Sequence, residues 1–114
     1  MKFLRMSLLP AAIALSAVFL ALPTTGAPVT VHIVRAGDGW RFDPPAASLR
    51  AGKKIAFTND TTTTHTATCD TCGFDTRDIQ PGQTAFITLR APGTLGYHCN
   101  YHAQQGMTGK VTVS

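Results

Sequence analysis

A chain of 114 residues has room for one small domain, whose core by itself gives modest stability. Ten Lys and Arg against six Asp, with no Glu, give a formal charge of +4. The basic residues are scattered, with Lys53-Lys54 the one adjacent pair, so the chain offers no basic face to a nucleic acid and only a weak field to steer an acidic partner.

The chain opens with the order of an export signal. Lys2 and Arg5 form a short positive head, Leu8 to Leu22 is an uncharged apolar run, and Pro23 leads into the small residues Thr24-Thr25-Gly26-Ala27. The run is about 15 residues, short for a helix that must cross a bilayer with roughly 20. Cleavage after Ala27 is expected, with Thr25 and Ala27 at the recognition positions; an uncleaved N-terminal anchor is the alternative. No cysteine lies near the cut, so a lipid anchor has no attachment point. Residues 1–27 are therefore read as a signal peptide and residues 28–114 as one domain, periplasmic or secreted.

The remainder reads as β-structure. Val29, Val31 and Ile33 alternate in VTVHIV, Ile55 and Phe57 in KKIAFTN, and Ala85, Ile87 and Leu89 in TAFITLR. Leu95, Tyr97 and Cys99 share a face in TLGYHC, and KVTVS closes with Val111 and Val113. A period of two is the mark of half-buried strands. Ala51-Gly52, Pro81-Gly82 and Pro92-Gly93 punctuate the pattern, and Pro then Gly suits the central positions of a type II turn. No segment after the signal keeps a 3.6-residue period, and a single antiparallel sandwich or closed barrel is expected.

Three cysteines in an exported chain leave one over when two pair. Cys69 and Cys72 form a C-x2-C pair that a structural disulfide would join within a turn; a redox-active dithiol and a second metal site are the alternatives. Cys99 is the remaining thiol, and as an isolated residue it would read equally well as a small buried hydrophobe. Its neighbours argue otherwise, because Cys99, His102 and Met107 follow the spacing C-x2-H-x4-M. A thiolate, two imidazoles and a weak thioether are the ligand set of a type 1 blue copper site. The second imidazole must come from elsewhere. His32 sits in mid-strand, and His98 adjoins Cys99 and should face the opposite way. His65, in the polar loop NDTTTTHT after a strand, is the expected fourth ligand.

With these residues in place the chain resembles the cupredoxins of the plastocyanin, pseudoazurin and amicyanin group. The resemblance runs through FDPPAASLRAGKKIAFTN, the step from Asn59 to His65, the PGQT turn, and YHC-x2-H-x4-GM-x-GKVTV. It implies an eight-stranded Greek-key β-sandwich with one copper at one end, and an electron carrier rather than an enzyme. It further implies a monomer that passes single electrons to redox proteins such as a cytochrome, reductase or dehydrogenase, docking where the ring edge of His102 reaches the surface. Asn59 and Thr66 resemble positions that hydrogen-bond near the copper sulfur, although relatives often carry Asn where Thr66 stands. Trp40 and Tyr101 are read as core or rim packing, with carrying or gating electrons as the alternative.

Two other functions are weighed. Copper enzymes built on this fold need further histidine-rich centres, for which only His32 and His98 remain. A dinuclear site needs two cysteines in the loop that holds only Cys99. A copper carrier or storage protein would use Cys69-Asp70-Thr71-Cys72 as an extra soft site.

Overall fold

The computed structural model describes residues 28–114; the expected signal peptide lies outside the described residues. Seven strands follow in order: β1 Val29–Ala36, β2 Gly39–Asp43, β3 Ala46–Leu49, β4 Lys53–Asn59, β5 Thr84–Leu89, β6 Gly93–His98 and β7 Thr108–Val113. A single 3-10 turn, Ala103–Gln105, lies between β6 and β7. No described helix is long and apolar enough to cross a membrane.

The strands form two sheets, ordered β2-β1-β4-β5 and β3-β7-β6, packed as a sandwich. The all-β expectation holds, with two differences. Two pairings are parallel, β1 with β4 and β3 with β7. The chain crosses from one sheet to the other between each pair, and such a crossing is what allows strands to run in the same direction. The count is also seven rather than about eight. Residues between β4 and β5 pair only through the isolated bridges His65↔Ile79, Thr68↔Asp75 and Thr68↔His98. There Gly73 and Arg77 take positive φ, which interrupts a regular ladder.

The alternating residues supply the core. Val31 and Ile33 of β1, Ile55 and Phe57 of β4, Tyr97 of β6 and Val111 and Val113 of β7 are all buried. Apolar burial of this kind is worth about 1.5–3 kcal/mol per large side chain. At the centre, the Tyr97 ring meets Phe42 at 4.8 Å and Phe57 at 5.2 Å between centroids, both edge to face. That geometry is preferred by aromatic quadrupoles. Tyr97 stands two residues before Cys99, so the aromatic cluster also anchors the strand that delivers the thiol.

The turns divide. Pro81-Gly82 makes the expected type II turn: Gly82 has φ of 81°, and the Gln83 N–H donates to the Gln80 carbonyl at 2.9 Å. Pro92-Gly93 does not. Gly93 has φ of 145° and already pairs with Val113 as the first residue of β6, so sheet pairing overrides the turn.

Gly109 faces Tyr97 across the β6–β7 ladder, and a Cβ there would lie 2.5 Å from the phenol Cζ and oxygen. The ring cannot yield easily, because it is fixed between Phe42 and Phe57. Gly109→Ala should therefore destabilise the fold by about 1–3 kcal/mol, the usual range for overpacking. Denaturant unfolding of the variant against the parent checks this, and equal midpoints would contradict it.

Candidate metal centre

The ends of β1, β4 and β6 and the starts of β2, β5 and β7 meet at one end of the sandwich. Three expected ligands converge there: His65, Cys99 and His102 offer ligand atoms that all lie within 4.8 Å of one another. Cys99 Sγ is 3.8 Å from His65 Nδ1 and 3.5 Å from His102 Nδ1. A metal about 2.0–2.1 Å from nitrogen and about 2.3 Å from sulfur, the usual zinc bond lengths, separates donors at 120° by roughly 3.8 Å. Both sulfur–nitrogen distances thus match the spacing of donors about a trigonal metal, and the soft and imidazole character of the set suits copper.

Each donor is held by its neighbours. Cys99 follows β6, and the loop after it winds tightly. The His102 N–H donates to the Cys99 carbonyl, and the N–H groups of Gln105 and Met107 both donate to the His102 carbonyl. Gly106, with φ of 84°, closes the 3-10 turn in a conformation that L side chains rarely adopt. The loop thereby returns to the Cys99 backbone, whose N–H donates to the Met107 carbonyl at 3.1 Å. Met107 is buried, which suits an apolar packing residue and a thioether ligand alike.

His65 is fully buried and controlled through its far nitrogen. Nε2 lies 2.9 Å from Thr63 Oγ1 and 3.0 Å from Thr61 Oγ1. The Thr61 hydroxyl donates to Asn59 Oδ1 at 2.7 Å, which leaves its oxygen free to accept from the ring. Asn59 is itself oriented, because its Nδ2 donates to the carbonyls of Thr63 and Ile79. The chain of donors assigns the proton to Nε2 and turns the Nδ1 lone pair toward Cys99. The Asn59 side chain thus acts one step from the sulfur, by setting the tautomer of His65. Thr66 does reach the sulfur, its backbone N–H lying 3.4 Å from Sγ. Its hydroxyl accepts from the Asn100 N–H at 2.9 Å.

The other two histidines lie apart from this cluster. His32 bonds the Asp60 carboxylate through Nδ1 at 2.7 Å, on the exposed surface. His98 turns outward to Asn100 Oδ1 at 3.0 Å. The Cys69–Cys72 disulfide is formed, and Cys99 is the free, buried cysteine among the described residues.

Two features of the site escaped the sequence. The Thr61 and Thr63 hydroxyls could have been suspected from the run of four threonines before His65, but nothing pointed them at its ring. Trp40, read from the sequence as core or rim packing, gave no sign there of which residues it would meet. Its indole meets His102 at 4.2 Å and His65 at 5.3 Å between ring centroids, and the Arg35 guanidinium lies 5.4 Å from it. Trp40 is thus rim packing that covers one side of the half-buried His102 ring.

Burial, and next the charge of His102, push the His65 pKa down from 6.5 to about 4. The folded, metal-free protein keeps this imidazole neutral while the unfolded chain takes a proton near pH 6.5. Its contribution to stability is complete above that pH and is lost as pH falls from about 6.5 to about 4. The loss should be on the order of 3 kcal/mol. Urea unfolding of metal-free protein at intervals of pH should show this decline, and His65→Gln should flatten it.

Residues 29–114 match the model of a family described as copper binding proteins, plastocyanin/azurin family. Barley chloroplastic plastocyanin is 38% identical over 84 residues, an alignment covering 64% of this chain and 54% of the relative. The chain thus spans about half the length of that relative, and the same holds for the rice protein. Plastocyanin of Solanum crispum is 35% identical over 89 residues, covering 67% of this chain and 90% of that one. In fold, the chain superposes on a reduced amicyanin variant with a TM-score of 0.68 at 21% identity, over 80% of this chain and 86% of the other. The family match takes in every strand and all the converging side chains, and the chain belongs to the plastocyanin/azurin family of copper-binding proteins, with copper as its cofactor.

Proposed function

We propose that this protein is an exported carrier of single electrons, with one copper ion held by His65, Cys99, His102 and Met107. The observation that carries this reading is the convergence of two imidazole Nδ1 atoms on one buried cysteine sulfur. Bound copper supplies the one-electron couple Cu(II)/Cu(I). The residues around it do three things. Cys99 gives up its proton and binds as a thiolate, which metal binding requires. The hydrogen-bonded His65 and the tightly wound 99–107 loop hold the donors in a set acceptable to both oxidation states, so little has to move when charge changes. Burial of His65 and Cys99 keeps water from the ligands.

Electrons would enter and leave beside His102, the half-buried ligand, where a redox protein docks against the rim that includes Trp40. Export rests on the basic, apolar and small-residue order of residues 1–27, and on a family match that begins at residue 29. An enzymatic role would need further copper ligands. His32 and His98 are bonded to Asp60 and Asn100, apart from each other and from the site. The carrier or storage reading loses its extra soft site, because the Cys69 and Cys72 sulfurs are bonded to one another.

Addition of Cu(II) to the purified domain, residues 28–114, should produce an intense blue absorption from thiolate bonding, at one copper per chain. Cys99→Ser should abolish the colour, and a colourless copper-bound parent would end the type 1 reading.

The axial position has its own test. Met107→Gln replaces a soft sulfur with a harder oxygen, which favours Cu(II) and should lower the reduction potential while copper still binds. An unchanged potential and spectrum in voltammetry and absorption would exclude Met107 from the ligand set.

A further inference from the structure

The disulfide lies at the tip of the irregular hairpin that carries His65 and Thr66, and the electron-carrier reading leaves it without a role. One arm of this hairpin runs from His65 to Cys69 and the other from Phe74 to Ile79. The two are joined by His65↔Ile79 at the base and by the Cys69 N–H donating to the Phe74 carbonyl at 2.8 Å near the tip. Neither arm belongs to a named strand, so the segment lacks the continuous ladder that fixes β6 and β7.

The outgoing arm nevertheless links the bridge directly to the copper sulfur. Cys69 is buried in the core and bonded to the exposed Cys72. The adjacent residue, Thr68, exchanges two backbone hydrogen bonds with His98, at 2.8 and 2.9 Å. Its hydroxyl lies 3.0 Å from that of Thr66. Thr66 then places its N–H 3.4 Å from Cys99 Sγ and accepts from the Asn100 N–H. Two residues, Ala67 and Thr68, separate the bridge from the donor to the thiolate, and both are buried.

Geometry accounts for the bridge better than chain entropy does. Closing a loop this short removes little freedom from the unfolded chain, since the entropic gain grows with loop length. What the bridge does restrict is the native position of Cys69, and through Thr68 that of the Thr66 amide. A hydrogen bond donated to a thiolate withdraws electron density from the sulfur, which disfavours Cu(II) relative to Cu(I) and raises the potential.

We propose that the Cys69–Cys72 bridge is a positioning element for the Thr66 N–H···Sγ bond and so sets the copper reduction potential. The proposal rests on the electron-carrier reading for its consequence, but the mechanical coupling is a property of the chain alone. Opening the bridge lets the tip fray, lengthens the Thr66 contact and lowers the potential, while the four ligands and the blue colour remain.

The test uses Cys72→Ala, which opens the bridge at its exposed end and leaves the buried Cys69 sulfur in its packing. Val113→Ala, at the far end of β7, serves as the control for lost stability without a change near the thiolate. Two readouts are taken. In the metal-free protein, the Thr66 and Thr68 amides should exchange with solvent at least tenfold faster in Cys72→Ala than in the parent. In the copper protein, the ratio of Cu(I) to Cu(II) affinity should fall about tenfold, which is about 59 mV for one electron. Val113→Ala should move neither. Unchanged exchange at both amides, or an unchanged potential in a blue Cys72→Ala protein, overturns the proposal; so does a Val113→Ala protein of similar stability whose potential moves as far. Should Cys72→Ala fail to fold, the same amides are followed in the metal-free parent before and after the bridge is opened by a water-soluble phosphine. That reagent becomes its oxide with an oxygen from water while the bridge becomes two thiols. Faster exchange supports the coupling, and unchanged exchange overturns it. A parent that binds no blue copper refutes the electron-carrier reading, whereas the amide exchange still decides the coupling.

Discussion

A sulfur atom with no access to water, just past the end of β6, is the constraint around which one end of this protein is built. Cys99 is fully buried, and as a thiolate it would be an uncompensated charge in a low-dielectric interior, which is costly unless it is paired. Two imidazoles and a backbone N–H face it, and a bound cation completes the compensation. Burial of charge and binding of metal are here one energetic problem. His65, whose proton burial and then the charge of His102 disfavour, fits the same scheme, because only an unprotonated Nδ1 can take part.

The rest of the sandwich serves to bring distant segments to that sulfur without leaving them free to move. Tyr97, two residues before Cys99, is fixed by Phe42 and Phe57 and packs onto Gly109 of the neighbouring strand. The strand therefore reaches the site in one register, and the 99–107 loop only has to return along it. On the other side, Asn59 at the end of β4 holds the 59–65 loop through four polar contacts, to Thr61, Thr63 and Ile79. One buried amide thus determines both the course of the loop and the tautomer of the histidine at its end. Such a fully satisfied polar network is worth its desolvation because every donor and acceptor finds a partner.

Rigidity at the ligands and openness at the rim are divided between two histidines. His65 has its ring enclosed by threonine hydroxyls and Trp40, whereas His102 keeps part of its surface outside. A carrier of electrons needs both, a coordination set that does not rearrange and one ligand that a partner can approach. Trp40, with Arg35 beside it, extends that rim with an aromatic surface and a positive charge.

Much of this was legible in the linear chain, for physical reasons that differ from residue to residue. Alternating Val, Ile and Phe determined the strands, because half-buried sheet positions repeat every two residues. The C-x2-H step placed Cys99 and His102 together, because both are carried on a single loop and their chemistry is local. His65 was accessible to the same logic, since the face reversal at His98 and the strand position of His32 left it as the remaining imidazole. What the tertiary structure alone decided were relations between segments that no spacing encodes. The parallel pairing of β1 with β4 arises from a crossing between sheets. The Pro92-Gly93 turn was lost to pairing with Val113. Trp40 reaches His65 and His102, 25 and 62 positions away in the chain. The tautomer of His65 depends on which way a buried asparagine points, and that is set by two carbonyls brought to it by folding. Local chemistry is written in order along the chain, whereas a hydrogen bond or ring contact across the sandwich exists only once packing has chosen which surfaces meet.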